Sequence, residues 1–322
     1  MEEFVLSTHV ETLEKLKGLN LELFGSVFIG DPTCSLYPEN IMVSEERILK
    51  AVDFVKSKDE RIEVVLCTFA EPRNKDLSWQ LTLLERVFDK VDFIEVHNMG
   101  VLRFLSKELG FSRLIMGFFG NIYTHKTLEV LKDFGIVRSF LNPELSIEEI
   151  MFIKENSPVD IIIFAHGKLP LGISESCFIK EVKIGECRDI CEPLVIESAK
   201  WKLASFGFAT FSAKDWNIFE YTGAFLLKGF KYFHIQGLRE RIEYINKVAY
   251  IYKKVCSDLI SGRDSQFEDL AKELLETTRY GFCNGYLFRR AGSRYVGRLF
   301  GGEEPQTVYA DEVKGGFRDE KD

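Results

Sequence analysis

The sequence predicts an α/β chain folded as a (β/α)8, TIM-like barrel with a cysteine-bearing insertion between its seventh and eighth strands. Three observations predict it. Short apolar runs alternate with amphipathic, helix-length segments; there are eight such runs; and one interval between them is far longer than a barrel connection needs.

The runs are Phe4–Ser7, Ser26–Gly30, Ile62–Phe69, Asp92–Val96, Arg113–Gly117, Val137–Leu141, Val159–Ala165 and Lys231–Ile235. Their β-branched and aromatic content suits buried strands. The intervening segments carry helix signals. In Ser44–Lys56, Ile48, Ala51, Val52 and Val55 share one face. Thr124 caps a segment lined by Leu128, Leu131 and Phe134, and Gly135 stops it. Ser146 with Glu149 is a capping box ahead of Ile150 and Ile153. Strands joined by helices form a parallel sheet, and eight such units close into a barrel.

The exception is the interval from Ala165 to Lys231, about 65 residues where a barrel needs about 20. It holds three cysteines and a hairpin over Ala204–Phe211. Residues 1–300 therefore read as a single barrel domain with the insertion at about 166–230, and the polar tail 301–322 reads as poorly ordered.

The 322 residues include 46% hydrophobic and 29% charged positions, a globular balance. No apolar run reaches the roughly 18 residues of a membrane span, and no signal-peptide pattern opens the chain, so a cytoplasmic location is expected. The net charge of −8 and the lack of a Lys/Arg stripe with interleaved aromatics disfavour nucleic acid as a partner.

Seven cysteines in a reducing compartment are read as ligands, catalysts or core fillers rather than disulfides. Cys177, Cys187 and Cys191 form a Cys-x9-Cys-x3-Cys arrangement in the insertion, and Cys34 follows strand two in Gly30-Asp31-Pro32-Thr33-Cys34. Segments after strands two and seven both emerge at the C-terminal face of a parallel barrel, so four thiols can converge there. A [4Fe-4S] cubane takes four thiolates, as does structural zinc. Only one pair has zinc-knuckle spacing, and the radical-type Cys-x3-Cys-x2-Cys signature is absent. The pattern alone leaves cluster, zinc and unrelated core cysteines open. Cys67, within a strand, and Cys256, within a helix, read as core fillers, whereas Cys283 is ambiguous.

Several segments resemble the collagenase-like peptidase family, and within it the UbiU/UbiV branch, on the UbiV side. They are Gly30 to Ser35, Asn121-Ile122-Tyr123, Val137 to Ser146, His166 to Leu171 running on to Cys177, the Cys187/Cys191 pair, and Cys283-Asn284-Gly285-Tyr286 with Arg289 to Gly292. Strand eight reads His234-Ile235-Gln236-Gly237-Leu238, where peptidase-like members carry Lys-Ile-Glu-Gly-Arg. The resemblance implies a [4Fe-4S] cluster on Cys34, Cys177, Cys187 and Cys191, and oxygen-independent hydroxylation in ubiquinone biosynthesis. It also implies a UbiU-like second iron–sulfur barrel as heterodimer partner, an aromatic quinone precursor as substrate and prephenate as oxygen donor. Other members hydroxylate tRNA or ribosomal RNA bases. A cluster-bearing scaffold or electron relay is the non-enzymatic alternative.

Residues just past strand ends are candidates for a substrate site: Glu95, His97, Asn98, Asn121, Tyr123, Asn142, Glu144, His166, Gln236 and Arg239. His166 is read as a proton shuttle and Arg239 as a bidentate grip for a carboxylate donor. Their plainer readings are a hydrogen-bonded buried histidine and a salt-bridged helix face. Neither a Gly-x-Ser-x-Gly elbow nor a His-Glu-x-x-His helix is present, so peptidase chemistry is not expected.

Overall fold

A computed structural model describes residues 4–199, 201–263 and 267–304. Its elements are β1 (Val5–Val10), α1 (Leu13–Gly18), β2 (Ser26–Ile29), α2 (Glu45–Lys58), β3 (Glu63–Cys67), α3 (Asn74–Val87), β4 (Phe93–Val96), α4 (Met99–Arg103), β5 (Leu114–Met116), α5 (His125–Lys132), β6 (Ile136–Phe140), α6 (Ile147–Asn156) and β7 (Asp160–Ile173). There follow α7 (Phe178–Val182), α8 (Cys187–Ile190), β8 (Leu194–Glu197), β9 (Lys202–Ser205), β10 (Ala209–Asn217), α9 (Thr222–Leu227), β11 (Tyr232–Ile235), α10 (Ile242–Ser261), α11 (Phe267–Leu275) and β12 (Phe282–Cys283).

Strands β1 to β7 pair in order, all parallel, and β11 bonds to both β7 and β1, which closes an eight-stranded barrel. All eight expected strands are these, with ends shifted by at most three residues apart from the far end of β7. Local signals account for the helix starts. Ser44 accepts from the Arg47 amide, Thr124 from the Thr127 amide, and the Ser146–Glu149 capping box forms in both directions.

Alternation along the strands divides the apolar residues into two cores. Phe28, Val65, Cys67, Ile115, Phe140 and Ile162 fill the barrel interior. Residues of opposite parity, such as Val27, Ile29, Val64, Leu66 and Ile235, face the helices in a larger outer core. Towards the N-terminal end of the strands, Arg138 bonds to Glu63 at 2.5 and 2.7 Å and lies between the rings of Phe93 and Tyr232 at 4.3 and 4.2 Å.

The insertion is an extension of the sheet. Expected to end at Ala165, β7 runs on to Ile173 because its outer half pairs antiparallel with β10. Strands β9 and β8 continue that meander, and the expected hairpin forms between β9 and β10. A register shift marks the start of the extension: His234 pairs with Phe164, but the next residue, Ile235, pairs with His166. The extra residue, Ala165, has its carbonyl bonded by Tyr252 and by the Ile218 amide. Just beyond, Gly167 has φ +108°, and a Cβ there would sit 2.7 Å from the Cβ of Gln236, so only glycine lets β7 cross β11. The expectation for the tail falls mainly on residues 305–322, outside those described.

Candidate functional site

The loop after β2 is built around buried polar side chains. Asn40 accepts from the amides of Asp31 and Met42, and its Nδ2 donates to the carbonyls of Asp31 and Cys34 at 3.0 and 2.9 Å. Asp31 Oδ1 accepts from the amide and hydroxyl of Thr33, while Oδ2 accepts from Arg239 Nε at 3.1 Å and Nη2 at 2.8 Å. The third guanidinium nitrogen, Nη1, donates to the Cys191 sulfur at 3.4 Å, and the group lies over the Tyr37 ring at 4.2 Å. Burial opposes the Arg239 charge, but Asp31 foremost, then Glu11, Cys191 and Cys34, outweighs that and holds it ionised. The Cys34 thiol is pushed up to about 12 by burial and then by Asp31, against the pull of Arg239 and of the Leu36 and Tyr37 amides.

The remaining cysteines arrive on the insertion. Cys177 caps α7, with its sulfur 3.1 Å from where a Cβ on Gly207 would stand; Gly207, at φ +92° in the β9–β10 turn, leaves room for it. Cys187 opens α8 and Cys191 closes it, one helical turn apart and joined by a 3.1 Å backbone bond, so both face the same side. The Cys191 thiol is raised by burial and, among its neighbours, by Asp31, Cys177 and Cys187, while Arg239 lowers it. Arg188 ties α8 to Glu39, beside the Cys34 loop, at 2.8 Å. All seven cysteines are free of disulfides.

One opening adjoins these thiols, and a second adjoins the first through Glu71 and Ile173. One, of about 640 Å³, has Cys177 in its wall with Thr33, Phe69, Arg73, Lys75 and Lys180. The other, of about 350 Å³, is walled by Phe118, Phe119, Asn121, Tyr123, Asn142, Glu144 and Tyr286. It is aromatic and rich in amides, a lining suited to a flat ring bearing hydrogen-bonding groups.

The profile of peptidase family U32 matches residues 11–296, which spans nearly all of the barrel and its insertion. The chain belongs to peptidase family U32. Its sequence is 26% identical to an uncharacterized protease of Methanocaldococcus jannaschii over 76% of this chain and 63% of that one. It is 24% identical to a 23S rRNA 5-hydroxycytidine synthase of Escherichia coli over 80% of this chain and 39% of that one. It is 21% identical to the tRNA hydroxylation protein P of Haemophilus influenzae over 86% and 72% of the two chains. The first two relatives are matched over less than two thirds of their length. Among solved structures, a ribulose-1,5-bisphosphate carboxylase/oxygenase from Pyrococcus horikoshii superposes with a TM-score of 0.52 at 10% identity, over 86% of this chain and 64% of that one, a likeness of fold.

The thiols of this U32 chain suit a cubane by their chemistry. The Cys34 and Cys191 thiols share the neighbourhood of one guanidinium, which offsets negative charge, Cys177 and Cys187 lie near enough to Cys191 to act on its charge, and amides aim at the Cys34 sulfur. Among the described residues, the group of three donors drawn within 4.8 Å of one another is His9, Cys67 and Glu95, not a trio of these cysteines.

Two expected residues lie elsewhere than a ligand-facing position at the mouth. His166 does not reach the mouth. The bulge at Ala165 turns its ring outward, where it is fully buried among Tyr244, Tyr252 and Phe282, with Tyr252 Oη 3.4 Å from Nδ1. Burial lowers it to about 4, so it is neutral and shielded from any ligand at the mouth. Arg239 does grip a carboxylate, but that of Asp31 in the same chain. Asn98 is a helix cap, bonded to the Gly100 and Val101 amides, and the Gln236 Oε1 accepts from the Leu238 amide.

Inside the barrel, Glu95 ends a polar chain that adds Ser7, His9 and His234, three residues outside the candidates drawn from the sequence. Ser7 Oγ lies 2.9 Å from His234 Nδ1, His234 Nε2 lies 2.8 Å from His9 Nδ1, and His9 Nε2 lies 2.9 Å from Glu95 Oε2. Burial alone would raise the Glu95 carboxyl, but His97 and His9 outweigh it and hold the group below the usual carboxylate range. The available signal was a histidine at inward parity in β1, followed by a glutamate and a second histidine at inward parity in β4 and β11.

Proposed function

We propose that this U32 chain is the iron–sulfur subunit of an oxygen-independent hydroxylase that acts on an aromatic ring, a quinone precursor in the ubiquinone pathway. The observation that carries the reading is the aromatic, amide-lined cavity that shares a wall with the opening beside Cys177. Cys34, Cys177, Cys187 and Cys191 would hold the cluster, which when bound supplies one-electron chemistry. Arg239 and Asp31 set the charge beside those thiols. Asn121 and Asn142, linked at 3.2 Å, orient hydroxyl or carbonyl groups on the ring, and Phe119 and Tyr286 cover its faces. Arg73, Lys75 and Lys180 in the larger opening suit a carboxylate-bearing oxygen donor such as prephenate. A second, UbiU-like iron–sulfur barrel completes the enzyme.

A second reading, hydroxylation of an RNA base, is favoured by two relatives, which are named for rRNA hydroxycytidine synthesis and tRNA hydroxylation. The net charge of −8 weighs against it. Growth of a gene-deletion strain without oxygen, with its quinones and RNA nucleosides measured together, separates the two. Accumulation of an under-hydroxylated quinone precursor supports the first reading. Normal quinone with a missing base hydroxyl selects the second, and no change in either leaves an electron relay or scaffold as the role.

A further inference from the structure

We propose that the barrel interior holds a second site, independent of the four-cysteine constellation, in which His9, Cys67 and Glu95 bind one divalent transition metal ion of the zinc or ferrous type. The side-chain donors of these residues, an imidazole nitrogen, a thiol sulfur and a carboxylate oxygen, lie within 4.8 Å of one another, and all three residues are fully buried. Tetrahedral zinc, with bonds of about 2.0–2.3 Å, places its ligand atoms about 3.3–3.6 Å apart, so the donors close on an ion with shifts of about an ångström. A mixed nitrogen, sulfur and oxygen set selects a borderline metal and rejects magnesium and calcium, which take oxygen ligands.

The surroundings suit a cation. Glu95 Oε1 is buried without an N–H or O–H donor, and the Cys67 thiol is the further side chain that bonds to this carboxylate. His97 Nδ1 is buried without a partner, and His97 Nε2, whose polar contact is the long 3.5 Å one to Glu95 Oε2, supplies a further donor. Such groups cost free energy when buried and unpaired, and an ion among them removes that cost. The space is preserved by Gly117: a Cβ there would meet His97 Cε1 at 2.0 Å and Glu95 Oε1 at 2.7 Å.

A histidine that binds metal through Nε2 donates from Nδ1 to an orienting acceptor. Here that acceptor is His234 Nε2 at 2.8 Å, with His234 Nδ1 in turn donating to Ser7 Oγ at 2.9 Å and Ser7 to the Phe233 carbonyl at 3.4 Å. In this tautomer every proton of the chain is placed and the His9 Nε2 lone pair faces the Glu95 carboxylate at 2.9 Å, an arrangement a cation between them stabilises. Without metal, the chain reverses and His9 donates to Glu95 instead. The rings of Phe28 and Phe118, 4.8 and 5.6 Å from His9, keep the centre apolar.

The test uses the full chain with Cys34, Cys177, Cys187 and Cys191 all changed to Ala, so that no cluster forms, and titrates it with Co(II). One cobalt per chain with a thiolate-to-cobalt charge-transfer band is expected. The band disappears in Cys67→Ser, cobalt binding is lost in Glu95→Gln, and His234→Phe weakens it by about 10–100-fold while keeping the band. A folded chain, by circular dichroism, that binds no cobalt or binds it without the band overturns the proposal. Should the fourfold variant not fold, the wild-type chain purified without oxygen is analysed for metal and acid-labile sulfide. One metal ion per chain in excess of sulfide, lost in Glu95→Gln, is expected; equal metal and sulfide overturns the site. Absence of sulfide with one retained metal would instead count against the cluster alone.

Discussion

Arg239 donates to the Cys191 sulfur at 3.4 Å with one nitrogen while its other two hold Asp31. The pair links the β2 loop that carries Cys34 to the insertion that carries Cys191. Arg239 also stands at φ +59°, a left-handed conformation that costs energy in a non-glycine residue and is retained by its side-chain contacts.

Arg239→Gln is therefore expected to destabilise the chain by about 3–5 kcal/mol, because Asp31 is left as an uncompensated buried charge. Asp31 and Arg239 side chains are only 1% and 6% exposed, so solvent does not screen them. Urea unfolding of Arg239→Gln against the double variant with Asp31→Asn measures it. The double variant should recover part of the loss, and the single variant should lower the cluster potential by removing a cation. Equal stability of wild type and Arg239→Gln would refute the coupling.

The cysteine assignment predicts metal content directly. Protein prepared without oxygen should be brown and carry about four irons in sulfide-bridged form. Cys34→Ala, Cys177→Ala, Cys187→Ala and Cys191→Ala should each remove most of that iron. Cys256→Ala should keep it, since Cys256 is fully buried in the outer core on α10. Full iron in Cys34→Ala would sink the four-ligand assignment.

His166 predicts an acid limb in stability. Its value falls from an ordinary 6.5 to about 4 because burial disfavours the charged ring. The unfolded chain thus takes up a proton that the folded chain refuses, so stability is complete above about pH 6.5 and falls as pH drops towards 4. The loss is about 3 kcal/mol for a group this deeply buried. His166→Phe, which suits the aromatic cage, should flatten this limb in urea titrations between pH 7 and 5 while leaving turnover intact. A large fall in turnover with iron retained would restore the proton-shuttle role.

The barrel strands were legible because each is a short apolar run, and the capping residues Thr124 and Ser146 because they act on amides three residues away. What was not legible depended on distant partners. The bulge that turns His166 outward is set by pairing with β11 and by Tyr252, and the carboxylate held by Arg239 comes from a loop at the other end of the chain. The His9–Glu95 contact joins β1 to β4 across the barrel, and no local spacing encodes it.

The ring cavity gives the last prediction. Asn121 holds a left-handed conformation, φ 54° and ψ 52°, with its side chain in the wall of the smaller opening. Replacement by Ala would combine loss of the amide with backbone strain, so Asn121→Gly is the informative change: glycine adopts this conformation freely. The residue is exposed and its amide's partner is Asn142, so the fold and the iron content should be retained. A hydrogen bond to a neutral ring substituent contributes about 1 kcal/mol, which corresponds to roughly a fivefold rise in KM with kcat preserved. Phe119→Ala should add a further loss in binding through the missing ring face, again without loss of iron. An unchanged KM in both variants, with the partner barrel present and oxygen excluded, would show that the ring substrate binds elsewhere, and the opening lined by Cys177, Arg73 and Lys75 would be the next place to test.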